Sequence, residues 1–395
     1  MGSYSHLVVN GFPILTQKNG YVEFVINSIF TKDDFCIYEI INKDKNKLVW
    51  GDAYLNDLDT SSNICFKSTA KICKERLELF GVNYQSSKID FEQAINNSVS
   101  DELYDFLLSD EITYDLYLKE ISKIISSKSK SYGTNYSVSF NNYLQEFELI
   151  FESQNILCAL WSIFSVLKED SIIEYDLTEI INGGWINENV SEHIDIQKII
   201  LLTEGKTDTE FIKIGINLFY PHLIDYFHFM DFENSRYEAN ASRLVHTVKS
   251  FVGSGIKNYI IALFDNDSAA LKEINNLRLV KLPSNIKVLQ YPNIDLADNY
   301  PTIGPSGNQI MNINGLACSI ELYLGKDCLS FNGSFLPIQW TGLVETINKY
   351  QGVVQNKDDV QDRFRMKVKQ IKCFEYDESF KELKILIDLI VNVWQ

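Results

Sequence analysis

Acidic side chains follow two apolar runs of the sequence, at the points where each run ends. LLTEGKTDTEF carries Glu204 and Asp208, and IIALFDNDSAA carries Asp265 and Asp267. On an extended backbone, the carboxylates of Asp265 and Asp267 point to the same side because side-chain direction repeats every second residue. Clustered carboxylates repel one another, and hard oxygen ligands of this kind suit Mg²⁺ or Mn²⁺. The spacing therefore predicts a metal site that positions a phosphodiester and activates water.

The elements around these acids alternate between strands and helices. IQKIILLTE, HLIDYFHFMDF, KNYIIALFDND and NIKVLQYP are predicted strands, and TDTEFIKIGINLFY, SRLVHTVKSFVGSG and SAALKEINNLRL are predicted helices. This alternation is typical of a parallel α/β sheet, in which ligands bind at the carboxyl ends of the strands. We therefore expect Glu204, Asp265 and Asp267 to meet at one edge of such a sheet.

Three other interpretations compete with a metal site. In the first, Asp265 caps the following helix and Asp267 is a solvated loop residue. In the second, the GKT that begins at Gly205 ends a phosphate-binding loop, but Ile200 stands where that motif needs a glycine. In the third, LFDNDS is a dehalogenase-type phosphotransferase signature with Asp265 as nucleophile and Asp267 as acid/base, although Ser268 replaces the expected Thr or Val. The second is excluded, and the other two stay open.

The chain divides into four segments by composition and periodicity. Residues 1–65 contain short β-branched and aromatic runs separated by Asn-Gly turns, and residues 66–185 have the apolar spacing of amphipathic helices. INGGWINENVSE then has paired glycines and little pattern, which indicates a boundary. Residues 193–335 form the α/β segment, and residues 336–395 are predicted to be mainly helical. The fold class is therefore α/β, preceded by a β-rich segment and a helical region.

Composition excludes several classes of protein. The formal charge of −17 argues against a protein that coats nucleic acid through a basic face, but not against a nuclease whose metal ions supply local positive charge. The seven cysteines form no CxxC pair, which favours reduced thiols in a cytoplasm over a zinc site or disulfide framework. No apolar run approaches the length of a membrane span, and the N-terminal sequence lacks a secretory signal.

Glu204-Gly205 after one strand and Asp265-Asn266-Asp267 after a later strand together resemble a Toprim domain. This metal-binding fold is shared by topoisomerases, bacterial primases and several nucleases. The resemblance implies a Rossmann-like parallel sheet, with Glu204 as general acid/base or metal ligand. It also implies that Asp265 and Asp267 bind Mg²⁺ or Mn²⁺.

Further acids resemble the nuclease branch typified by the overcoming-lysogenisation-defect enzymes. That branch has a second acid four residues after the glutamate, which Asp208 matches. It also has a later acidic motif for a second metal, which we match to Ser319 and Glu321 in LACSIELYL. An ordinary position on an amphipathic helix is the alternative for Glu321.

The same branch uses a lysine near the end of the domain to stabilise developing phosphate charge. Lys357 is our candidate, with Arg363 and Lys367 as alternates. The alternative for each of them is a solvated surface side chain.

The layout of the whole chain resembles the bacterial HEPN/Toprim-associated proteins, which often occur in anti-phage defence loci. Active HEPN ribonucleases carry an arginine four to six residues before a histidine, and none of the five histidines has an arginine at that distance. The resemblance therefore implies a HEPN-like region without its ribonuclease site. Its helices would serve packing, sensing or dimerisation, and the strongly apolar helix around Ile156 to Leu167 predicts a homo-oligomer.

The sequence thus predicts a cytoplasmic, metal-dependent Toprim phosphodiesterase or endonuclease that cuts DNA or RNA such as tRNA in anti-phage defence. No ATPase motif is present, so we expect a phage-derived or defence-system activator, and no membrane partner. Strand passage or priming is a further Toprim chemistry, for which the chain is short. The alternative from another class is a non-enzymatic nucleic-acid-binding, scaffold or sensor subunit of a defence complex.

Overall fold

The computed structural model describes residues 2–98, 112–128, 140–146, 148–151, 154–230 and 240–395. The chain divides into two compact units, which are Met1–Ile196 with Trp394–Gln395, and Gln197–Val393. We call them the N-terminal and the C-terminal unit. None of the helices in the described part of the chain has the length and apolar character needed to cross a membrane.

The N-terminal unit contains a five-stranded antiparallel sheet with the order β2-β1-β5-β4-β3. Its strands are β1 (Tyr4–Val9), β2 (Phe12–Lys18), β3 (Phe35–Ile41), β4 (Thr60–Thr69) and β5 (Ile172–Asp176). The predicted boundary between residues 65 and 66 lies inside β4. The central strand β5 comes from the segment that was predicted to be helical throughout, so the β-rich and helical segments contribute to one sheet.

Helices pack around this sheet. They are α1 (Glu23–Ile29), α2 (Lys47–Trp50), α3 (Ala70–Glu78), α4 (Tyr84–Ser98), α5 (Tyr114–Ser127), α6 (Phe140–Glu146), α7 (Ile156–Ser165) and α8 (Thr178–Asn182). Every residue of α7 from Cys158 to Phe164 is buried within the core of the unit. The apolar surface that suggested self-association is therefore covered inside the unit, and self-association stays a prediction. Part of the long helix predicted in DELYDFLLSDEITYDLYLKEISKIISS falls before residue 112, outside the described residues.

Two runs predicted as strands are helical. YVEFVINSIF contains α1, which places Val25, Ile26 and Ile29 in the core at helical spacing. KLVWGDAYL contains α2, whose first turn is capped by Asn46 through a 2.9 Å hydrogen bond from the Leu48 backbone N–H. Burial on one helical face in α1, and the Asn46 cap in α2, outweigh the strand preference of β-branched and aromatic residues.

All seven cysteines are free thiols. Cys36 and Cys65 face each other across β3 and β4, and their Sγ atoms are 3.5 Å apart.

The C-terminal unit contains a four-stranded, all-parallel sheet with the order β10-β8-β6-β7. Its strands are β6 (Ile199–Leu202), β7 (Phe227–Phe229), β8 (Ile260–Phe264) and β10 (Ile286–Gln290), and its helices are α9 (Lys206–Phe219), α10 (Ala241–Ser254) and α11 (Ser268–Asn275). All five residues of β8 are buried, as expected for a strand covered on both faces. The predicted parallel α/β sheet is therefore confirmed. The short strand β9 (Asn266–Asp267) turns away from this sheet and pairs with β13 (Ala317–Cys318).

A second sheet of the C-terminal unit has the order β12-β11-β16-β17. Its strands are β11 (Tyr300–Gly304), β12 (Gly307–Met311), β16 (Ile338–Val344) and β17 (Lys349–Val354). The unit is completed by the hairpin β14 (Ser330–Phe331) and β15 (Ser334–Phe335), and by α12 (Lys326–Leu329), α13 (Lys357–Lys369) and α14 (Lys381–Val391). The prediction of a mainly helical tail from residue 336 is wrong for the β16–β17 hairpin. Its turn ends at Asn348, which has a left-handed φ of 51°, a conformation that asparagine tolerates better than most residues.

Candidate functional site

Glu204 and Asp265 lie at the carboxyl ends of two neighbouring strands. β6 and β8 are adjacent and parallel, with Leu202 opposite Ala262. Glu204 follows β6 by two residues, and Asp265 follows β8 directly. The Glu204 Oε1 atom accepts a 2.9 Å hydrogen bond from the Asp265 backbone N–H. The structure therefore brings these two predicted site residues together at one edge of the sheet.

Asp208 reaches the same edge from the first turn of α9. Gly205 is the N-cap of this helix, and its backbone N–H donates to the Asp208 carboxylate. The Tyr291 hydroxyl donates to Asp208 Oδ1 over 2.8 Å. A Cβ atom on Gly205 would lie 3.0 Å from Asp208 Oδ2. The glycine of the EGKTD motif therefore leaves room for this buried carboxylate.

Asp267 is the N-cap of α11. Its Oδ1 atom accepts a 2.7 Å hydrogen bond from the Ala270 backbone N–H, and its Oδ2 atom accepts a 2.7 Å hydrogen bond from Gln351 Nε2. Asp267 is only 9% exposed. The interpretation in which Asp265 caps the helix and Asp267 is a solvated loop residue is wrong, because the capping residue is Asp267 and it is buried.

Glu321 is buried on a 3-10 turn (Ile320–Tyr323) rather than on an amphipathic helix. Its Oε1 atom accepts a 2.6 Å hydrogen bond from Gln361 Nε2, and its Oε2 atom accepts a hydrogen bond from the Ser319 hydroxyl. Ser319, matched to the same motif from the sequence, thus orients this carboxylate.

Asp265 lies at the electrostatic centre of the five acids. Its Oδ1 atom is buried and has no hydrogen-bond partner, although the residue as a whole is partly exposed. Burial raises the pKa of Asp265 well above its ordinary value, and the negative charges of Asp208, Glu204, Asp267 and Glu321 raise it further. The other four predicted carboxylates therefore all act on Asp265, and we call the five together the acidic site.

Burial also raises the pKa of Glu204, to about 8. The hydrogen bond from the Asp265 backbone N–H opposes this shift, while the charges of Asp267 and Asp208 add to it. Glu204 consequently holds a proton over much of the neutral range, as a carboxyl group suited to general acid/base catalysis does.

Hydrogen bonds reduce the upward pKa shifts of Asp208 and Asp267. Burial raises the pKa of Asp208 to about 6, with a contribution from the Glu321 charge, while the hydrogen bond from Tyr291 lowers it. Burial raises the pKa of Asp267, and the hydrogen bonds from Ala270 and Gln351 lower it. The acidic site therefore carries repelling charges that protein donors offset only in part.

The donor set of the acidic site fits a hard divalent cation. Carboxylate oxygens are the preferred ligands of Mg²⁺ and Mn²⁺, and the buried Asp265 Oδ1 has no protein donor. Among the residues that the structure describes, however, no three His, Cys, Asp or Glu side chains form a ready metal-binding group. The oxygens of Asp267 and Glu321 accept from protein donors instead. Ligation by these two side chains therefore requires them to exchange protein donors for the ion.

Lys357, the lysine predicted to stabilise phosphate charge, lies four residues before Gln361, which donates to Glu321. Lys357 is exposed at the start of α13. Arg363 donates to two backbone carbonyls over 2.8 and 3.2 Å, and Lys367 donates to Asp327 and to a backbone carbonyl over 3.0 Å each. These two alternates are thus engaged in structural contacts.

Lys349 is a cation near the acidic site that sequence reasoning missed. A Cβ atom on Gly315 would lie 3.6 Å from Lys349 Nζ and 3.9 Å from Asn266 Oδ1, so the ammonium group and the central residue of the Asp-Asn-Asp motif both lie beside Gly315. Lys349 and Gln351 are two residues apart on β17, so their side chains point to the same face, and Gln351 binds Asp267. The strand alternation of YQGVV was the available signal, but this stretch was predicted to be helical.

The uncharged residues that hold the acids were also missed. Tyr291, Gln351 and Gln361 donate to Asp208, Asp267 and Glu321, respectively. Their partners are between 40 and 84 residues away in the chain. No local sequence pattern marks such contacts.

The fold and the site define a mixed α/β protein whose parallel sheet carries an acidic cluster at the carboxyl ends of its strands. A comparison with protein-family models matched HEPN/Toprim N-terminal domain 1 to residues 1–198. Because this match covers half of the chain, the protein belongs to that family, as its layout predicted. Membership indicates a nuclease-related or defence-related role. The match ends before the residues of the acidic site, and searches of curated proteins and of solved structures found no match.

We expect the metal-free protein to lose stability as the pH rises. The pKa of Glu204 rises from 4.5 to about 8 on folding, so the folded state binds more protons between these values and the free energy of unfolding falls as pH increases. This contribution is fully present below about pH 4.5 and is lost through about pH 8. Melting temperatures measured in EDTA between pH 5 and 9 should decline less steeply for Glu204→Gln than for wild type. Melting temperatures that decline equally with pH in both proteins would contradict the raised pKa of Glu204.

Two substitutions of Asp267 should separate its cap from its charge. Asp267→Ala removes the N-cap of α11, which typically costs about 1 kcal/mol. Asp267→Asn keeps a good cap and removes one repelling charge, although Gln351 Nε2 loses its acceptor, so in EDTA it should be more stable than Asp267→Ala. Urea unfolding gives the free energy of unfolding of both variants and of wild type. If Asn destabilises as much as Ala, the charge repulsion inferred for the acidic site is absent.

Proposed function

We propose that this protein is a metal-dependent phosphodiesterase of Toprim type that cuts nucleic acid, DNA or RNA such as tRNA, in anti-phage defence. The observation that supports it best is the buried, unpaired Oδ1 atom of Asp265, a residue at the end of a parallel strand on which four other carboxylates act. Asp265 and Asp267 would hold a first Mg²⁺ or Mn²⁺, with Glu204 as a further ligand or as the general acid/base, and Asp208 and Glu321 would hold a second. When bound, such ions neutralise phosphate charge and make water nucleophilic.

The chain itself supplies proton transfer and orientation. Where Glu204 does not itself ligate the ion, burial raises its pKa, and it can donate a proton to a leaving oxygen or accept one from water. The hydrogen bond from the Asp265 backbone N–H fixes the direction of its carboxylate. Gln351 orients Asp267 in the same way, and the nearby Lys349 ammonium supplies positive charge toward a phosphate oxygen.

A non-enzymatic nucleic-acid-binding, scaffold or sensor subunit is the second candidate. One observation favours it: protein donors already bind the carboxylates of Asp208, Asp267 and Glu321, and the described residues form no ready group of three ligands. In that case the same hydrogen bonds would be purely structural. In either case we propose an activator from the phage or from a defence system as a further partner.

Cleavage assays separate the two candidates. Purified protein is incubated with plasmid, single-stranded DNA and total tRNA in Mn²⁺, Mg²⁺ or EDTA. We expect at least one substrate to be cut with metal and none in EDTA. Asp265→Asn should lower the rate at least about 100-fold because it removes the central ligand charge.

Asp362→Asn is the matched control, since Asp362 is an exposed aspartate on α13 whose partner is Arg365. It should cut like wild type. Equal cleavage by Asp265→Asn would identify a contaminating nuclease. No cleavage together with no heat of Mn²⁺ binding would favour the scaffold.

Substitution of Lys349 and of Lys357 shows which of the two lysines stabilises phosphate charge. If Lys349 stabilises phosphate charge, Lys349→Ala should lower kcat by about 10²-fold or more, the usual loss for one charge-stabilising donor, while Lys357→Ala stays near wild type. Lys349→Arg should recover part of the rate because it keeps the positive charge. The reverse order would assign the role to Lys357, as the sequence predicted.

A further inference from the structure

An aromatic cavity opens on the second sheet of the C-terminal unit. It has a volume of about 240 Å³ and is lined by parts of β11, β12, β16 and β17. Trp340 and Tyr350 form its aromatic wall, with ring centroids 5.8 Å apart. Thr302 and Gln309 add polar groups, and the lining contains no charged residue. We call it the Trp340–Tyr350 pocket.

Glycines hold the indole in place while the phenol stays accessible. A Cβ atom on Gly304 would lie 3.0 Å from Trp340 Cδ1, and one on Gly352 would lie 2.9 Å from Trp340 Cε3. The Trp340 ring therefore lies against backbone at both positions. Tyr350 is 55% exposed, although it belongs to a regular strand. A large aromatic surface is thus fixed in place and remains open to a ligand.

The pocket is connected to the acidic site through β17. The Tyr350 carbonyl accepts a 2.5 Å hydrogen bond from the Ser268 hydroxyl, and the next residue, Gln351, donates to Asp267. Successive side chains of a strand point to opposite faces. Tyr350 therefore lies on one face of β17 and Gln351 on the other. β17 is the last strand of its sheet, and at Tyr350 its edge contacts the first residue of α11, the helix that Asp267 caps.

We propose that the Trp340–Tyr350 pocket binds an unpaired base of a single-stranded nucleic acid, next to the phosphodiester at the acidic site. Flat, uncharged aromatic surfaces stack with bases of any sequence, and the side-chain amide of Gln309 can bond a base edge. The volume lies below the range of roughly 300–1,000 Å³ typical of pockets for drug-sized ligands, so it admits a single base. A duplex keeps its bases stacked and paired, so the occupant is single-stranded. This inference rests on the proposed nuclease function and specifies its substrate.

Binding of a labelled single-stranded oligonucleotide, with Ca²⁺ in place of Mn²⁺, tests the pocket. Tyr350→Leu should weaken binding about tenfold or more, the loss typical of one base–aromatic stack, and Tyr350→Phe should restore it. The matched control is Tyr376→Leu, which removes a tyrosine that is 51% exposed outside the pocket. In the cleavage assay, Tyr350→Leu should raise KM and leave kcat within about twofold, because the ring does not touch the reacting phosphate.

A probe with abasic sites tests the same contact from the side of the ligand. Wild type should bind it about tenfold more weakly than the intact oligonucleotide, and Tyr350→Leu should bind both alike. Three results would overturn the inference. Wild type could bind the two probes equally, or it could fail to bind the intact strand. Tyr350→Leu could also lose as much affinity for a duplex as for the single strand. If wild type cuts with Mn²⁺ but KM is unchanged in Tyr350→Leu, the pocket fails and the nuclease stands. If the base-dependent binding is present without any cleavage, the pocket stands and the nuclease fails.

Discussion

Mutual repulsion among five buried or half-buried carboxylates is the constraint around which the C-terminal unit is organised. The parallel sheet places Glu204 and Asp265 on adjacent strand ends, and helix starts bring in Asp208 and Asp267. Such a cluster is costly in a folded protein unless donors or a cation offset its charge. Tyr291, Gln351 and Gln361 provide donors from distant parts of the chain, and Asp265 Oδ1 is left without one. The unit is therefore arranged around charge that its own hydrogen bonds do not fully satisfy.

Much of the sheet around the site follows from local sequence. The fully apolar IIALF becomes the buried strand β8, and SRLVHTVKSFVGSG becomes α10, which ends at Gly255 in a left-handed conformation. The acids were predictable for the same reason, since strand ends in a parallel sheet converge. The donors to those acids were not predictable, because an uncharged Tyr or Gln carries no signature until the fold brings it to its partner. Lys349 was missed together with its strand.

In the N-terminal unit, local sequence predicts less of the structure and tertiary pairing decides more of it. Its β-rich start is visible in the sequence, but α1 and α2 lie in runs with strand-like composition. The central strand β5 is only five residues long and follows a predominantly helical region. Short elements depend on neighbours for their stability, so propensity is weak for them and tertiary pairing decides. The family match covers this unit, whereas the chemistry was inferred from the residues that follow it.

The position of β5 has a consequence for biosynthesis. In the finished sheet it lies between β1 and β4, yet it begins at Ile172, more than 100 residues after β4 ends. Until the ribosome has released residue 176, the facing edges of β1 and β4 have no strand between them, and open edges pair readily with other chains. Pairing of strands this far apart in the chain is intrinsically slow, so the sheet closes only after residue 176, although its first strand is synthesised first. A nascent chain that stalls before Ile172 would therefore expose two unpaired strands, which makes chaperone protection of this interval important for the yield of native protein.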